Sequence, residues 1–184
     1  MATELRLSAD SAEQMRSIAT DVIAPHLRAG DLLILSGDLG AGKTTFTQGL
    51  GDALGVRGPV ASPTFIIART HPSEVGGPAL IHVDAYRLTS LAELDDLDLD
   101  TTLDDSVTVV EWGEGMAEAL AGDRLHVRID RERGGELDMA NPEGGRREVT
   151  VRAHGARWAD VVLAPATQRG PATPGASGVA GDLG

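Results

Sequence analysis

The chain contains no cysteine. That absence excludes disulfide staples, thiolate metal sites and a thiol nucleophile. Aromatic residues are scarce as well, with two tryptophans, two phenylalanines and one tyrosine in 184 residues. A core must therefore be assembled from Leu, Val, Ile and Ala, and each tryptophan calls for its own explanation. Positive charge is the third shortage: 16 Lys and Arg face 28 Asp and Glu, a formal net charge of −12. Tight binding to nucleic acid comes largely from neutralising phosphates, so this chain is poorly equipped to hold RNA or DNA by itself. It could still act on RNA inside a complex whose other members supply the positive surface. No apolar run approaches membrane-spanning length, and the opening Met1-Ala-Thr-Glu-Leu-Arg-Leu lacks the pattern of a secretory leader. A cytoplasmic protein is expected.

With 41% apolar residues, the chain suffices for one domain with a proper core, and the composition places that domain at residues 1–163. From Ala164 to Gly184 the residues are mostly Ala, Pro, Gly, Thr and Ser, which predicts a disordered tail.

What the chain does have is Gly37-Asp38-Leu39-Gly40-Ala41-Gly42-Lys43-Thr44, which matches G-x-x-x-x-G-K-[ST] at every fixed position. The apolar run Leu32 to Leu35 precedes it and a helix-compatible segment, Thr45 to Leu54, follows. A P-loop needs that strand–loop–helix context because backbone N–H groups hold the phosphates. Glycines at 37, 40 and 42 allow the main chain to curl into a nest of converging amides, and the helix N-terminus adds its positive end. Candidate nucleotide contacts are therefore Gly37, Asp38, Leu39, Gly40, Ala41, Gly42, Lys43, Thr44 and Thr45. Lys43 is placed to reach the β- and γ-phosphates and the Thr44 hydroxyl to ligate Mg²⁺. A dinucleotide fingerprint fits worse, since Gly40-x-Gly42 runs into Lys-Thr-Thr with no third glycine.

Around the loop, Glu4 to Leu7 alternates like an edge strand, and Ser8 or Asp10 is a candidate cap for a helix reaching about Leu27, kinked or stopped early at Pro25. Strands are expected at Thr64–Ala68, Leu80–Asp84 and Val107–Glu111, with short acidic helices between Ser90 and Asp105. Leu125–Ile129 and Glu148–Arg152 alternate and read as an antiparallel pair around a loop marked by Gly134, Gly135, Gly144 and Gly145. The pattern predicts an α/β, three-layer P-loop fold with a mainly parallel central sheet and antiparallel edge strands.

Phosphate chemistry also needs acids at the ends of neighbouring strands. Two strands here end in one: Asp84 closes Leu80–Val83, and Glu111 closes Val107–Val110. Both become candidates for Mg²⁺ and for the hydrolytic site, with Lys43 as the third catalytic candidate. Ser62-Pro63-Thr64 sits where switch segments place a hydroxyl over the metal, and Trp112, directly after Glu111, could cover the nucleotide.

Gly-Asp-Leu-Gly-Ala-Gly-Lys-Thr-Thr (37–45), Ser-Pro-Thr-Phe (62–65), His82-x-Asp84-x-Tyr86-Arg87 and Glu111-Trp112 occur in an order and spacing that resemble the TsaE family. The similarity spans roughly residues 3 to 152. That family is the small ATPase of the bacterial machinery that installs threonylcarbamoyl on adenosine beside the tRNA anticodon. The resemblance implies ATP and Mg²⁺ as cofactors, with Thr44 and Glu111 on the metal, Asp84 in the hydrolytic site, Thr64 in the switch and Trp112 near the nucleotide. It places Ser11 close to the base. It further implies weak ATPase activity, association with a threonylcarbamoyl-transferase subunit and its paralogous partner, tRNA contact only through that complex, and turnover that resets the complex. One departure is Asp98, which stands where the family usually has glycine.

A small-metabolite P-loop kinase is the rival reading. It requires an acceptor pocket and an arginine-bearing lid, which Arg131, Arg133, Arg146 and Arg147 could imitate around the glycine-rich loop.

Overall fold

The computed structural model describes residues 3–61, 67–131 and 145–164. Ser62, Pro63, Thr64, Phe65, Arg133, Gly134, Gly135, Gly144 and the tail after Ala164 lie outside the described residues. Among the described residues, seven strands form one sheet: β1 (Thr3–Ala9), β2 (Leu32–Ser36), β3 (Ala68–His71), β4 (Ala79–Asp84), β5 (Ser106–Glu111), β6 (Arg124–Arg131) and β7 (Arg147–His154). Their order is β1-β7-β6-β2-β5-β4-β3. The four central strands β6, β2, β5 and β4 run parallel, β3 on one side and β7 on the other pair antiparallel with them, and β1 pairs antiparallel with β7.

Leu32 to Ser36 is buried along its whole length, as expected of a central parallel strand covered on both faces. Its alternate residues feed two cores. Leu33 and Leu35 join Phe46, Leu50, Met15, Ile23 and Trp158 on one face, whereas Leu32 and Ile34 join Ile81, Val83, Leu94 and Leu99 on the other. Three layers result at β2, β5 and β4. The sheet is only two layers thick at β1 and β7, whose outward face carries Glu4, Arg6, Glu148 and Arg152, with Arg152 Nε donating to Glu4 Oε2 at 2.7 Å.

The helix expected from Ser8 or Asp10 begins later, because Ser8 pairs with Glu148 inside β1. Ser11 is the cap of α1 (Ala12–Ser17): its Oγ accepts from the Gln14 amide at 3.2 Å, and Gln14 Oε1 accepts from the Asp10 amide at 2.7 Å. Ser11 thus satisfies one first-turn amide, while Gln14 reaches back to the amide just before the cap, a variant of the capping box. The helix then widens to a π-turn at Ile18–Ile23 and tightens to a 3₁₀ turn at Ala24–His26, where Pro25 ends regular bonding.

The helix after the P-loop, α2, runs Lys43–Leu54, starting two residues earlier than the pattern suggested. Among the described residues, strand β3 runs Ala68–His71 and pairs Arg69 with His82 of β4; Thr64 to Ile66 of the expected strand lie outside the described residues. The acidic stretch forms α3 (Leu91–Asp95) and α4 (Asp100–Leu103), anchored inward by Leu94 and Leu99. Between them Asp98 has φ +55°, a left-handed conformation that explains a glycine preference there and that Asp tolerates better than most residues.

One ion pair ties the C-terminal end of the described domain to the P-loop strand. Arg157 donates through Nε and Nη2 to the two Asp31 oxygens at 3.1 Å each, and through Nη2 to the His26 carbonyl at 2.7 Å. Asp31, just before β2, is buried.

Candidate functional site

Parallel strands bring their C-terminal ends to one edge, and that edge gathers the P-loop after β2, Asp84 from β4, Glu111 and Trp112 from β5, and Arg131 from β6. Gly37 has φ +141°, and a Cβ there would collide with the Ile129 carbonyl oxygen of β6, so only glycine fits. Gly42, at φ +112°, starts α2 without any side-chain cap, which leaves first-turn amides for an external acceptor. Gly40 and Leu39 form the outer lip of the loop, with Leu39 exposed and Ala41 tucked into the core.

Lys43 Nζ donates to the carbonyls of Gly37 at 2.8 Å and Asp38 at 2.9 Å, and lies over the Trp112 ring. Burial pushes its ammonium below the usual lysine range, while Glu111, Asp84 and Asp38 pull the other way. The lysine is thus held by weak neutral acceptors at the mouth of an amide nest.

Asp84 and Glu111 are direct register partners on adjacent strands. Their surroundings differ. Glu111 is buried and accepts from the Thr44 hydroxyl at 3.2 and 3.4 Å and from His82 Nε2 at 2.8 Å, with the Thr47 hydroxyl oxygen 3.5 Å away. Asp84 is half-buried, and its Oδ1 accepts from the Tyr86 amide at 3.1 Å. Trp112 adopts φ +61°, which turns its ring out of the strand and over the cleft, 5.1 Å from the Tyr86 ring.

The cleft so formed has a volume of about 640 Å³, room for a nucleotide. Lys43, Thr44, Thr45, Asp84, Glu111 and Trp112 all line it, and Ser11 stands on the wall formed by the start of α1. Thr64 is outside the described residues, so the switch assignment stays a proposal. Of the arginines suspected of imitating a lid, Arg131 and Arg147 line this cleft, with Arg131 Nη2 donating to the Gly40 carbonyl at 3.1 Å. Arg146 lines a separate groove beside β1. Arg131 is where it is because β6 runs parallel to β2, a pairing that the alternating pattern of β6 and β7 does not reveal.

Two contributors carried no role in the sequence reading. His82 and Thr47 both meet Glu111, and their signal was present in the periodicities. His82 lies two residues before Asp84 on one strand face, and Thr47 one turn beyond Lys43, whose carbonyl it bonds at 3.0 Å.

For a divalent cation the site offers the Thr44 hydroxyl and the carboxylates of Glu111 and Asp84, all hard oxygen donors. Among the described residues no group of three or more His, Cys, Asp or Glu side chains is arranged to hold a metal alone. That donor set suits Mg²⁺, which takes one or two carboxylates and completes its shell with phosphate oxygens and water. Among the described residues no helix is long and apolar enough to cross a membrane.

A glycine nest between a buried strand and an uncapped helix, flanked by acids at parallel strand ends, defines a P-loop NTPase fold. The family model "Threonylcarbamoyl adenosine biosynthesis protein TsaE" matches residues 9–138. A Streptomyces coelicolor protein named tRNA threonylcarbamoyladenosine biosynthesis protein TsaE is 61% identical over 138 residues, covering 74% of this chain and 89% of its own. The Bacillus subtilis protein of that name is 38% identical over 147 residues, covering 79% and 84%. The crystal structure of Bacillus subtilis YdiB superposes with a TM-score of 0.64 at 32% identity, covering 86% of this chain and 90% of its own. The chain belongs to the TsaE family.

Proposed function

We propose that this protein binds Mg·ATP in the cleft and hydrolyses it slowly, as an accessory subunit in the threonylcarbamoyl modification of adenosine beside the tRNA anticodon. Its partners in this reading are the threonylcarbamoyl-transferase subunit and its paralogue, in the cytoplasm, with tRNA reached only through them. The observation that carries the reading is the junction of the P-loop with β5: the Thr44 hydroxyl donates to buried Glu111 at 3.2 Å beside a lysine whose ammonium rests on two backbone carbonyls and the face of Trp112. A hydroxyl that donates to a carboxylate keeps its lone pairs directed outward, toward where a cation would sit. Phosphate oxygens would draw Lys43 from the neutral Gly37 and Asp38 carbonyls, since charge-assisted bonds are roughly twice as strong.

Thr44, Glu111 and Asp84 would hold Mg²⁺, which would supply positive charge to the phosphates. The chain's own share is division of labour. Backbone amides and Lys43 hold the phosphates, Thr44 and Glu111 hold the cation, and Asp84, the more solvated acid, also orients water. Trp112 and Tyr86 shield the site from one side. The net charge of −12 suits a subunit that docks on protein and leaves tRNA to others.

The test is modified adenosine per complex over time, with ATP, tRNA and the transferase subunits supplied. Glu111→Ala is expected to keep nucleotide binding and assembly, to release no phosphate, and to stop after the first round. Sustained rounds by that variant would remove the resetting role, and phosphorylation of an added metabolite by wild type would favour a kinase instead.

A further inference from the structure

His82 is buried completely in the middle of β4, and its one described partner is Glu111, whose Oε1 lies 2.8 Å from Nε2. Its other ring nitrogen, Nδ1, is buried with no hydrogen-bond partner among the described residues. Leaving a ring nitrogen unpaired in a closed interior is unfavourable, so packing alone is a poor reason for histidine here; an aliphatic residue would fill a strand interior without that cost. The neighbouring residues of β4, Leu80, Ile81 and Val83, are aliphatic as a buried parallel strand requires.

The geometry of Glu111 supplies a reason. Its carboxylate accepts from the Thr44 hydroxyl on α2, and because an ionised carboxylate has no proton to give, the 2.8 Å bond to His82 places the proton on Nε2. Two close contacts from two elements then meet one carboxylate, the Thr44 hydroxyl of α2 at 3.2 Å and His82 of β4 at 2.8 Å, because the single Thr47 proton goes to the Lys43 carbonyl at 3.0 Å. The α2 contact is the longer, and the Thr44 hydroxyl would be shared with a cation. Among the described residues, only His82 bonds the carboxylate from the sheet.

From this we infer that His82 is a positioning residue. Its Nε2–H fixes the rotamer of Glu111 so that the carboxylate faces the metal-binding side of the P-loop before any cation arrives. This rests on the Mg·ATP reading given above. Outer partners that orient a metal ligand commonly contribute 10- to 100-fold in metal affinity or activity.

The experiment compares wild type, His82→Phe and His82→Gln in the full chain. Mn²⁺ affinity is read by electron paramagnetic resonance with a non-hydrolysable ATP analogue, alongside ATP affinity in EDTA, melting temperature and phosphate release. His82→Phe is expected to weaken Mn²⁺ about tenfold or more. Metal-free nucleotide affinity should stay within about twofold, because the P-loop backbone holds the phosphates. His82→Gln, whose amide donates from nearly the same point, should recover most of the Mn²⁺ affinity. Wild-type Mn²⁺ affinity in His82→Phe overturns the proposal. So does a loss shared equally by His82→Gln, and if His82→Phe fails to fold, His82→Leu replaces it in the same comparison. A wild-type protein that binds no Mn²⁺ with the analogue would instead refute the Mg·ATP site itself.

Discussion

Lys43 Nζ sits 3.9 Å from the centroid of the Trp112 ring while donating to two carbonyls of its own loop. One side chain on α2 and one at the end of β5 thereby close the cleft from opposite sides. A cation over an indole face is attracted by its quadrupole, by about 0.5–2 kcal/mol depending on desolvation. Any ligand that draws the ammonium away must disturb the ring.

Trp112 should therefore report nucleotide directly. Its fluorescence is expected to change on adding Mg·ATP, whereas Trp158, buried beneath the Arg157 guanidinium at 4.2 Å, should stay silent. Trp112→Phe is the check: if the variant keeps the full response, the ring does not sense the ligand.

Loss of either side chain that follows the glycine nest should abolish ligand-linked stabilisation. At about a hundred times its Kd, a ligand adds ~2.7 kcal/mol to the fold. Lys43→Ala and Thr44→Ala are expected to lose most of the Mg·ATP shift in melting temperature that wild type gains. Unchanged shifts in both would move the nucleotide elsewhere.

Arg157→Ala should be costly far from the cleft. It leaves the buried Asp31 carboxylate with only the Arg28 amide, at 2.8 Å, among its described partners, and breaking a buried pair typically costs about 3–5 kcal/mol. Replacing both charges, as Arg157→Met with Asp31→Asn, should cost less than Arg157→Ala alone. Denaturant unfolding of the three proteins measures this, and a larger loss in the double variant would contradict it.

Stability should also fall on mild acidification. Burial holds both the His71 and the His154 imidazoles below the usual value of 6.5; His82 and Arg69 add to this at His71, and Arg124 and His126 at His154. Only at His71 does a backbone bond to the Arg57 carbonyl pull the other way, and at His154 Glu118 does so. With folded values lowered, the unfolded chain binds more protons between those values and 6.5, so stability rises with pH in that window and is lost as pH drops through it. Melting curves from about pH 7.5 to 5.5 should show a smaller acid loss in His71→Asn with His154→Gln than in wild type. Equal losses would assign the acid sensitivity to other groups.

Much of this site was legible because its parts are local. The P-loop needs eight consecutive residues whose glycines and Lys-Thr pair state their own backbone chemistry, and the strand-ending acids announce themselves by following apolar runs. Helix starts were legible in principle as well: in Ser11-x-x-Gln14 and Ser90-x-x-Glu93 the serine accepts from the fourth residue's amide, and that residue's side chain accepts from the amide before the serine, Asp10 in the first and Thr89, at 2.6 Å, in the second.

Acting by itself, the sequence determined the phosphate-binding loop, the alternation that builds the sheet and the identity of the two acids, since each follows from residue type and spacing along a few residues. Tertiary structure decided how they are used. Asp84 and Glu111 look equivalent at strand ends, yet only Glu111 is buried under α2, where Thr44, Thr47 and His82 converge on it from 67, 64 and 29 positions away. Arg131 reaches the loop, 91 positions from Gly40, because β6 pairs in parallel with β2. Strand pairing and helix docking set those distances, and neither is written in any local run of residues.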